Sequence, residues 1–453
     1  MKRIFITLVI LFAIGIEGLY ASGKQPKYIF YFIGDGMGAS QVYIANSYLK
    51  SKGEKGLSFT SFPVLGLVDT ECHGRQITDS AAAGTALATG VRTTEGMIGM
   101  SRDTVALENI STTLHNRGLK VGIISTASID HATPASFYAH QPSRDMYFEI
   151  SEELPTSNFE FFGGGGILEN DNFNDKVTKQ GYRVVNTKGA IDSLKNGDEK
   201  VIAISPTLQD SKSMTYAIDR KEGEFTLADF VKKGIEVLDN EKGFFMMAEG
   251  GKIDWLAHAG DVGSTIREII DFDKAIDVAL DFYNKHPKET IIIVTSDHDT
   301  GGYAAGSTLK GYNSDYKVFG DQKMSYYNFS NKVDEYRNAP SRKKDISFAL
   351  QILKDDMGLT EFTDTELDCV KEAFKQSMIP YKSRNRDDAY WSKYGGYDPL
   401  TVAAIKIMAH RAGVGTTTFY HTATPVLIQA IGVGADKFIG RLENREIPIR
   451  LLK

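Results

Sequence analysis

Residues 28–38 read Tyr28-Ile29-Phe30-Tyr31-Phe32-Ile33-Gly34-Asp35-Gly36-Met37-Gly38. Six apolar residues without alternation describe a strand buried on both faces, and the change to Asp35 between two glycines marks its end. Four further runs share that texture: Val121 to Ile124, Phe244 to Met247, Thr290 to Val294 and Val426 to Ile431. Helical patterns lie between them at Asp79 to Thr89, Thr226 to Leu238 and Ser264 to Asn284. This alternation predicts an α/β chain with a doubly wound, mostly parallel central sheet and helices on both faces. In such sheets chemistry gathers beyond the carboxyl ends of the strands. The sequence obeys that rule, with Asp35 after Ile33, Ala248-Glu249 after Met247, and Thr295-Ser296-Asp297-His298 after Val294.

Outside these runs the texture changes. From about Tyr303 to Gly413 the chain is rich in Tyr, Asn, Lys and Asp and has no strong apolar strand. That stretch reads as an inserted cap subdomain on the surface, over one end of the sheet. Its tyrosines and tryptophan either stack on a nucleoside or pack, and packing is the commoner use. The four glycines Gly163 to Gly166 lack a following Gly-Lys-Ser/Thr, so a tight strand-end turn fits better than a phosphate loop.

At the N-terminus, Lys2 and Arg3 precede an apolar run, Ile4 to Ile16, followed by the small residues Ala21-Ser22-Gly23. This layout predicts a signal peptide over residues 1–21 and a catalytic domain over 22–453, exported to the periplasm or secreted, without a stable membrane anchor. An uncleaved N-terminal anchor is the alternative. With 453 residues, 42% hydrophobic and 24% charged, wholesale disorder, a collagen-like fold and a polytopic membrane protein are excluded. Two cysteines, Cys72 and Cys369, cannot staple a chain of this size. A formal charge of −6 argues against nucleic-acid specificity and, taken alone, against anionic substrates.

Several residues carry chemistry. In Glu249-Gly-Gly-Lys-Ile-Asp254-Trp-Leu-Ala-His258, Asp254 and His258 are four apart, which puts them on one helical face about 6 Å from each other. Such a pair grips one metal ion or forms a surface hydrogen bond. Asp297-His298 at a strand end is either an ordinary turn or a second set of ligands, and Asp35 lies in the same predicted layer. Ser80, in Thr78-Asp79-Ser80-Ala81-Ala82-Ala83-Gly84-Thr85, opens a helix of small residues. Its hydroxyl is a candidate nucleophile facing free backbone N–H groups, or a plain N-cap. The small residues also suit close packing of that helix on the sheet.

Together and in this order, Gly34-Asp35-Gly36-Met37-Gly38, Thr78 to Gly84, Glu249-x4-Asp254-x3-His258, Asp297-His298 and His421-Thr422 resemble the metal-dependent alkaline phosphatases. The resemblance implies that family's α/β fold, hydrolysis of phosphate monoesters through a phosphoserine, and two Zn²⁺ and one Mg²⁺. Carried over by position, Asp254, His258 and His421 match the ligands of one zinc. Asp35, Asp297 and His298 match those of the second, which also binds the Ser80 oxygen. Asp35, Glu249 and Thr133 match the magnesium ligands, and Arg144 matches the arginine that clamps the phosphate. His131 stands where some members carry Asp, and Trp255 where they carry Lys; these positions bear on magnesium binding and pH optimum. Lys252, two residues before Asp254 and on a different helical face, is expected to be solvated.

Homodimers are frequent in the family. A phosphodiesterase of the same superfamily and a non-catalytic metal- or phosphate-binding protein are the alternatives. A sulfatase is disfavoured, because Ala82 and Gly84 stand where its nucleophile motif needs Pro and Arg. With three divalent ions the site would be locally positive, so the overall charge does not decide the charge of the substrate.

Overall fold

The computed structural model describes residues 25–340 and 344–453, so the signal peptide expected over residues 1–21 lies outside the described residues. Ten strands form one sheet: β1 (Tyr28–Gly34), β2 (Val64–Asp69), β3 (Lys120–Ser125), β4 (Phe161–Gly164), β5 (Arg183–Val185), β6 (Val201–Ile204), β7 (Phe244–Gly250), β8 (Thr290–Thr295), β9 (Val426–Gly432) and β10 (Gly440–Glu443). Their order across the sheet is β10-β2-β9-β8-β1-β7-β3-β4-β6-β5. β1 sits between β7 and β8 and pairs with both in parallel. The alternation along β1 is an alternation between two cores. Phe30 and Phe32 join an apolar cluster on one face, and Ile29, Tyr31 and Ile33 a cluster on the other. A strand covered on both sides has no polar position to spare, hence its unbroken apolar run.

One strand departs from the expectation. β9 pairs antiparallel with both β2 and β8. Apolar content reports burial, which is the same for either direction, so the run Val426 to Ile431 gave no sign of the reversal. The consequence is local and useful: the amino end of β9, just after His421, lies at the rim where β1, β7 and β8 have their carboxyl ends.

The helices around the sheet include α1 (Ala39–Ser51), α2 (Ser80–Thr89), α3 (Leu227–Leu238), α4 (Lys252–Ala259), α5 (Val262–Lys285), α6 (Asp388–Tyr394) and α7 (Pro399–Ala412). α3 starts with a reciprocal capping box between Thr226 and Asp229, and α5 is held by Phe272, Ile276 and Ala279 in the same core as Phe32. In α2 the small residues serve a close approach, although its tightest neighbour is not the sheet. A Cβ on Gly84 would lie 2.9 Å from Ser136 Oγ and 3.3 Å from Thr133 Cα.

Between Tyr303 and Thr416 the chain makes a mainly helical excursion that includes α6 and α7. It leaves and returns through a short antiparallel ladder, Tyr303 opposite Thr416 and Ala304 opposite Gly415. Part of it packs into the core of the sheet, since Phe319, Phe329 and Leu400 share one apolar cluster with Phe30 and Phe272. Cys72 is buried, Cys369 is exposed, and both are free thiols. The four glycines follow the turn reading: β4 ends at Gly164, whose φ is +117°.

Candidate active site

The chemistry-bearing residues converge on the rim formed by β1, β7 and β8. Asp35 follows β1, Glu249 lies near the end of β7, and Asp297 and His298 follow β8; all four are fully buried. Asp254 and His258 share one face of α4, with Asp254 Oδ2 3.3 Å from His258 Nε2. His421 arrives from 120 residues further on through a second short ladder, in which it pairs with Thr300 and Thr422 pairs with Asp299. That ladder stacks the His421 ring on His298, with centroids 3.7 Å apart. Gly36 is required where the chain leaves β1. Its φ is +68°, and a Cβ there would lie 2.7 Å from Asp254 Oδ1.

All three imidazoles have one nitrogen committed away from the centre. His258 Nδ1 donates to the Phe419 carbonyl at 2.6 Å, and His421 Nδ1 to the Thr78 carbonyl at 2.7 Å. His298 Nδ1 faces Thr300 Oγ1 at 3.2 Å, and that hydroxyl donates to Asp254 Oδ1 at 2.6 Å, so His298 is the donor of the first bond. Each ring therefore turns its Nε2 inward, the arrangement that metal-ligating histidines adopt. His258 Nε2 and His421 Nε2 lie 3.0 Å apart. Burial disfavours charge on His258, but the Asp254 carboxylate outweighs it and raises His258 to about 9, so a proton or a metal ion sits between the two nitrogens.

The carboxylates carry the same message. Asp35 Oδ1, Asp297 Oδ2 and Glu249 Oε1 are buried and accept no hydrogen bond from the protein. Their partnered oxygens are fixed: Asp297 Oδ1 accepts from the Gly36 and His298 N–H groups, both at 3.0 Å, and Glu249 Oε2 accepts from Ser125 Oγ. Burial, aided by the neighbouring carboxylates, pushes Asp35 well above the usual range. Burial likewise raises Glu249 to about 7 and Asp297 to about 8. Burial would raise Asp254 too, but the imidazoles of His258 and then His421 hold it well below. Among the described residues, three triads place one ligand atom each within 4.8 Å of the others: Asp254-His258-His421, Asp35-Asp254-His298 and Asp35-His131-Glu249. Thr133, expected beside Asp35 and Glu249, directs Oγ1 at Asp35 Oδ2 from 3.5 Å. This donor set of carboxylate and imidazole suits divalent cations, and the inward oxygens of Asp35, Asp297 and Glu249 have no other partner.

Ser80 Oγ lies 3.2 Å from His298 Nε2. It occupies the first turn of α2, but the cap is Asp79, whose carboxylate accepts from the Ala81 and Ala82 N–H groups. The N-cap reading of Ser80 is thereby corrected: a neighbouring carboxylate does that work, and the hydroxyl is left to face the cluster. Asp79 also accepts from Arg144 Nη1 at 3.1 Å, and Arg144 Nη2 donates to His131 Nε2 at 3.3 Å. Burial and the charge of Arg144 hold His131 down to about 3, so it is neutral and able to accept. The His131 ring meets Trp255 edge to face, with centroids 5.7 Å apart.

Lys252 overturns its expectation of a solvated side chain. It is 0% exposed, with Nζ 2.5 Å from Asp210 Oδ1 and 2.6 Å from Ser213 Oγ, and it lies over the Tyr216 and Trp255 rings. Its partners come from the segment 210–216, which has no periodicity to announce a contact with α4. Sequence reasoning also missed Asp79 as the partner of Arg144, Ser125 as the partner of Glu249, and Thr300 as the bridge from His298 to Asp254. Asp79 stood within a quoted motif. Thr300, two residues past His298, is close enough in sequence to orient that ring.

The sequence model of the alkaline phosphatases matches residues 26–160 and 156–453. The chain belongs to the alkaline phosphatase family. It is 30% identical to alkaline phosphatase 4 of Bacillus subtilis over 93% of this chain and 87% of that one. Among solved structures, the cold-active alkaline phosphatase of the psychrophile Shewanella sp. is 26% identical, with a TM-score of 0.79 over 94% of this chain and 98% of that one. A histidine-to-glutamate mutant of the TAB5 alkaline phosphatase, with Mg bound in its M3 site, is also 26% identical, with a TM-score of 0.64 over 95% and 97% of the two chains. The chain is a phosphomonoesterase of a metal-dependent family.

Proposed function

We propose that this chain is an exported phosphatase that cleaves phosphate monoesters through a phosphoserine on Ser80, with two Zn²⁺ and one Mg²⁺. The observation that supports it best is the Ser80 hydroxyl 3.2 Å from His298 Nε2, inside a cluster of inward ligand atoms without protein partners. Asp254, His258 and His421 would hold one zinc, and Asp35, Asp297 and His298 the other. Asp35, Glu249 and Thr133 would hold magnesium, with His131 beside them. When bound, these ions supply Lewis acidity that eases deprotonation of Ser80, neutralises phosphate charge and stabilises the departing oxygen.

Ser80 gives up its proton to solvent and attacks phosphorus in line, forming the Ser80–phosphate bond as the bond to the alcohol breaks and the departing oxygen takes a proton from water. Arg144 is held between Asp79 and His131, so its planar fork is oriented before substrate arrives. A guanidinium so placed donates to two non-bridging oxygens and offsets charge as it develops. Water then enters from the side the alcohol vacated, releasing inorganic phosphate and restoring the hydroxyl. The helical excursion between Tyr303 and Thr416 acts as a cap that shapes access. Export rests on the N-terminal signal pattern, and no helix among the described residues is long and apolar enough to cross a membrane. By family likeness the assembly is a homodimer.

Replacing Ser80 with Ala tests the core of this reading. The wild-type protein should give a covalent phosphate adduct by mass spectrometry at low pH, and S80A should lack both the adduct and turnover while keeping its zinc. Activity in S80A near the wild-type level refutes the nucleophile. Faster cleavage of bis-p-nitrophenyl phosphate than of p-nitrophenyl phosphate would favour the diesterase alternative. Metal and phosphate binding without turnover would favour the binder.

A further inference from the structure

The three imidazoles run outward from Ser80 in the order His298, His421, His258. His298 touches Ser80 and stacks on His421, and His421 meets His258 through their Nε2 atoms. In the proposed in-line attack by Ser80, the leaving oxygen would depart on the side away from that hydroxyl, toward the His258 end of this row. There a groove of about 490 Å³ opens, lined by His258, Trp391, Gly396, Tyr397, Phe419 and Tyr420. Its size falls within the range of small-molecule sites, roughly 300–1,000 Å³.

The walls of the groove are fixed. Phe419 and Tyr420 directly precede His421, and their carbonyls accept from His258 Nδ1 at 2.6 Å and from the Gly301 N–H at 2.9 Å. The opposite wall comes from the C-terminal end of α6. The Phe419 ring rests on Gly395, where a Cβ would come within 2.2 Å, and the Trp391 ring rests on Gly396, where a Cβ would come within 2.9 Å. The rings of Tyr397 and Phe419 stand 5.8 Å apart. Aromatic residues used only for packing are buried, as Tyr390 and Tyr394 of the same helix are. Trp391 and Tyr420 instead stay 39% and 66% exposed at the groove. Exposed aromatic rings beside the site, Trp391 seated on Gly396 and Tyr420 on a hydrogen-bonded backbone, are what a planar ligand stacks on.

We propose that this groove is a base-stacking subsite that selects nucleoside 5′-monophosphates over aliphatic phosphate monoesters. The inference rests on the proposed in-line attack by Ser80, which sets the direction of the leaving group. The test compares kcat/KM for adenosine 5′-monophosphate with that for glycerol 1-phosphate, both esters of a primary alcohol. Stacking on one or two rings should favour the nucleotide about tenfold in the wild-type protein, within the roughly 5- to 150-fold spanned by base–aromatic contacts. That ratio should fall about fivefold or more in Trp391→Ala and in Tyr420→Ala, and stay high in Tyr420→Phe, which keeps the ring. A wild-type ratio near one, or a ratio unchanged in both alanine variants, overturns the proposal. Failure of the nucleophile reading would show elsewhere, as a missing Ser80-dependent phosphate adduct with either substrate.

Discussion

Stripped of metal by a chelator, this protein should lose stability as the pH rises from about 5 to about 8. Glu249 is raised from its ordinary 4.5 to about 7, and Asp297 from 3.8 to about 8, both chiefly by burial. In each case the folded state holds its proton more tightly than the unfolded chain does. The folded state is therefore favoured at low pH, and the advantage disappears as the pH climbs through the folded-state value. At about 1.4 kcal/mol per pH unit, Glu249 accounts for about 3 kcal/mol and Asp297 for about 6 kcal/mol across their windows. The two titrate within one cluster and do not add, so their joint share between pH 5 and 8 should be a loss on the order of 5 kcal/mol, offset below about pH 6.5 by His131, His298 and His421, which burial keeps neutral in the folded state. At roughly 2 °C per kcal/mol this lowers Tm by about 10 °C. Thermal unfolding of the chelated protein against pH measures it, with the Zn²⁺- and Mg²⁺-loaded protein as reference. There the ions take the place of the protons on Glu249 and Asp297, and their share of the decline should vanish, while that of Glu268, which burial raises to about 7 outside the cluster, remains. Asp297→Asn keeps the Oδ1 acceptor used by Gly36 and His298 and removes the charge. The chelated D297N protein should therefore be more stable than chelated wild type at pH 8 and similar at pH 5. A chelated wild-type protein that melts no lower at pH 8 than at pH 5, with no gain in D297N, refutes the reasoning.

Arg144→Ala should lower kcat/KM for monoesters by about 10²–10³, the effect of losing one oriented donor, and lower it less for diesters, which offer fewer free oxygens; steady-state rates on both decide. Thr300→Val removes the hydroxyl that joins His298 Nδ1 to Asp254 and should weaken zinc binding about 10- to 100-fold, read by competition with a chelator. Lys252→Met leaves Asp210 without its buried partner and should destabilise the fold by about 3 kcal/mol in urea unfolding, with part of the loss recovered in the double variant with Asp210→Asn.

Much of this was legible in the sequence because burial and chemistry were written in adjacent residues. Each of the runs 28–33, 244–247 and 290–294 ended at a carboxylate or imidazole that the structure brings to one rim. The direction of Val426 to Ile431 was not legible, since an apolar run states only that a strand is covered. Long-range partners were hidden for a related reason. Asp210 and Ser213 reach Lys252 from an irregular segment, and no local pattern couples that segment to α4. Periodicity suggested a free lysine; tertiary packing enclosed it. The pairing of Asp79 with Arg144 was hidden by a sequence separation of 65.

The reversed strand has a consequence for how the molecule is made. A chain emerges from the ribosome amino end first and folds as it lengthens. Asp35, Ser80, Glu249, Asp254, His258, Asp297 and His298 are all present by residue 298, yet His421 waits for the whole excursion beyond Tyr303. Its ladder with Thr300 closes a loop of about 120 residues, a distant contact of the kind that forms late. The inward-facing carboxylates are thus all synthesised before the last imidazole, and the full set of ligands exists only once the chain has been made past His421.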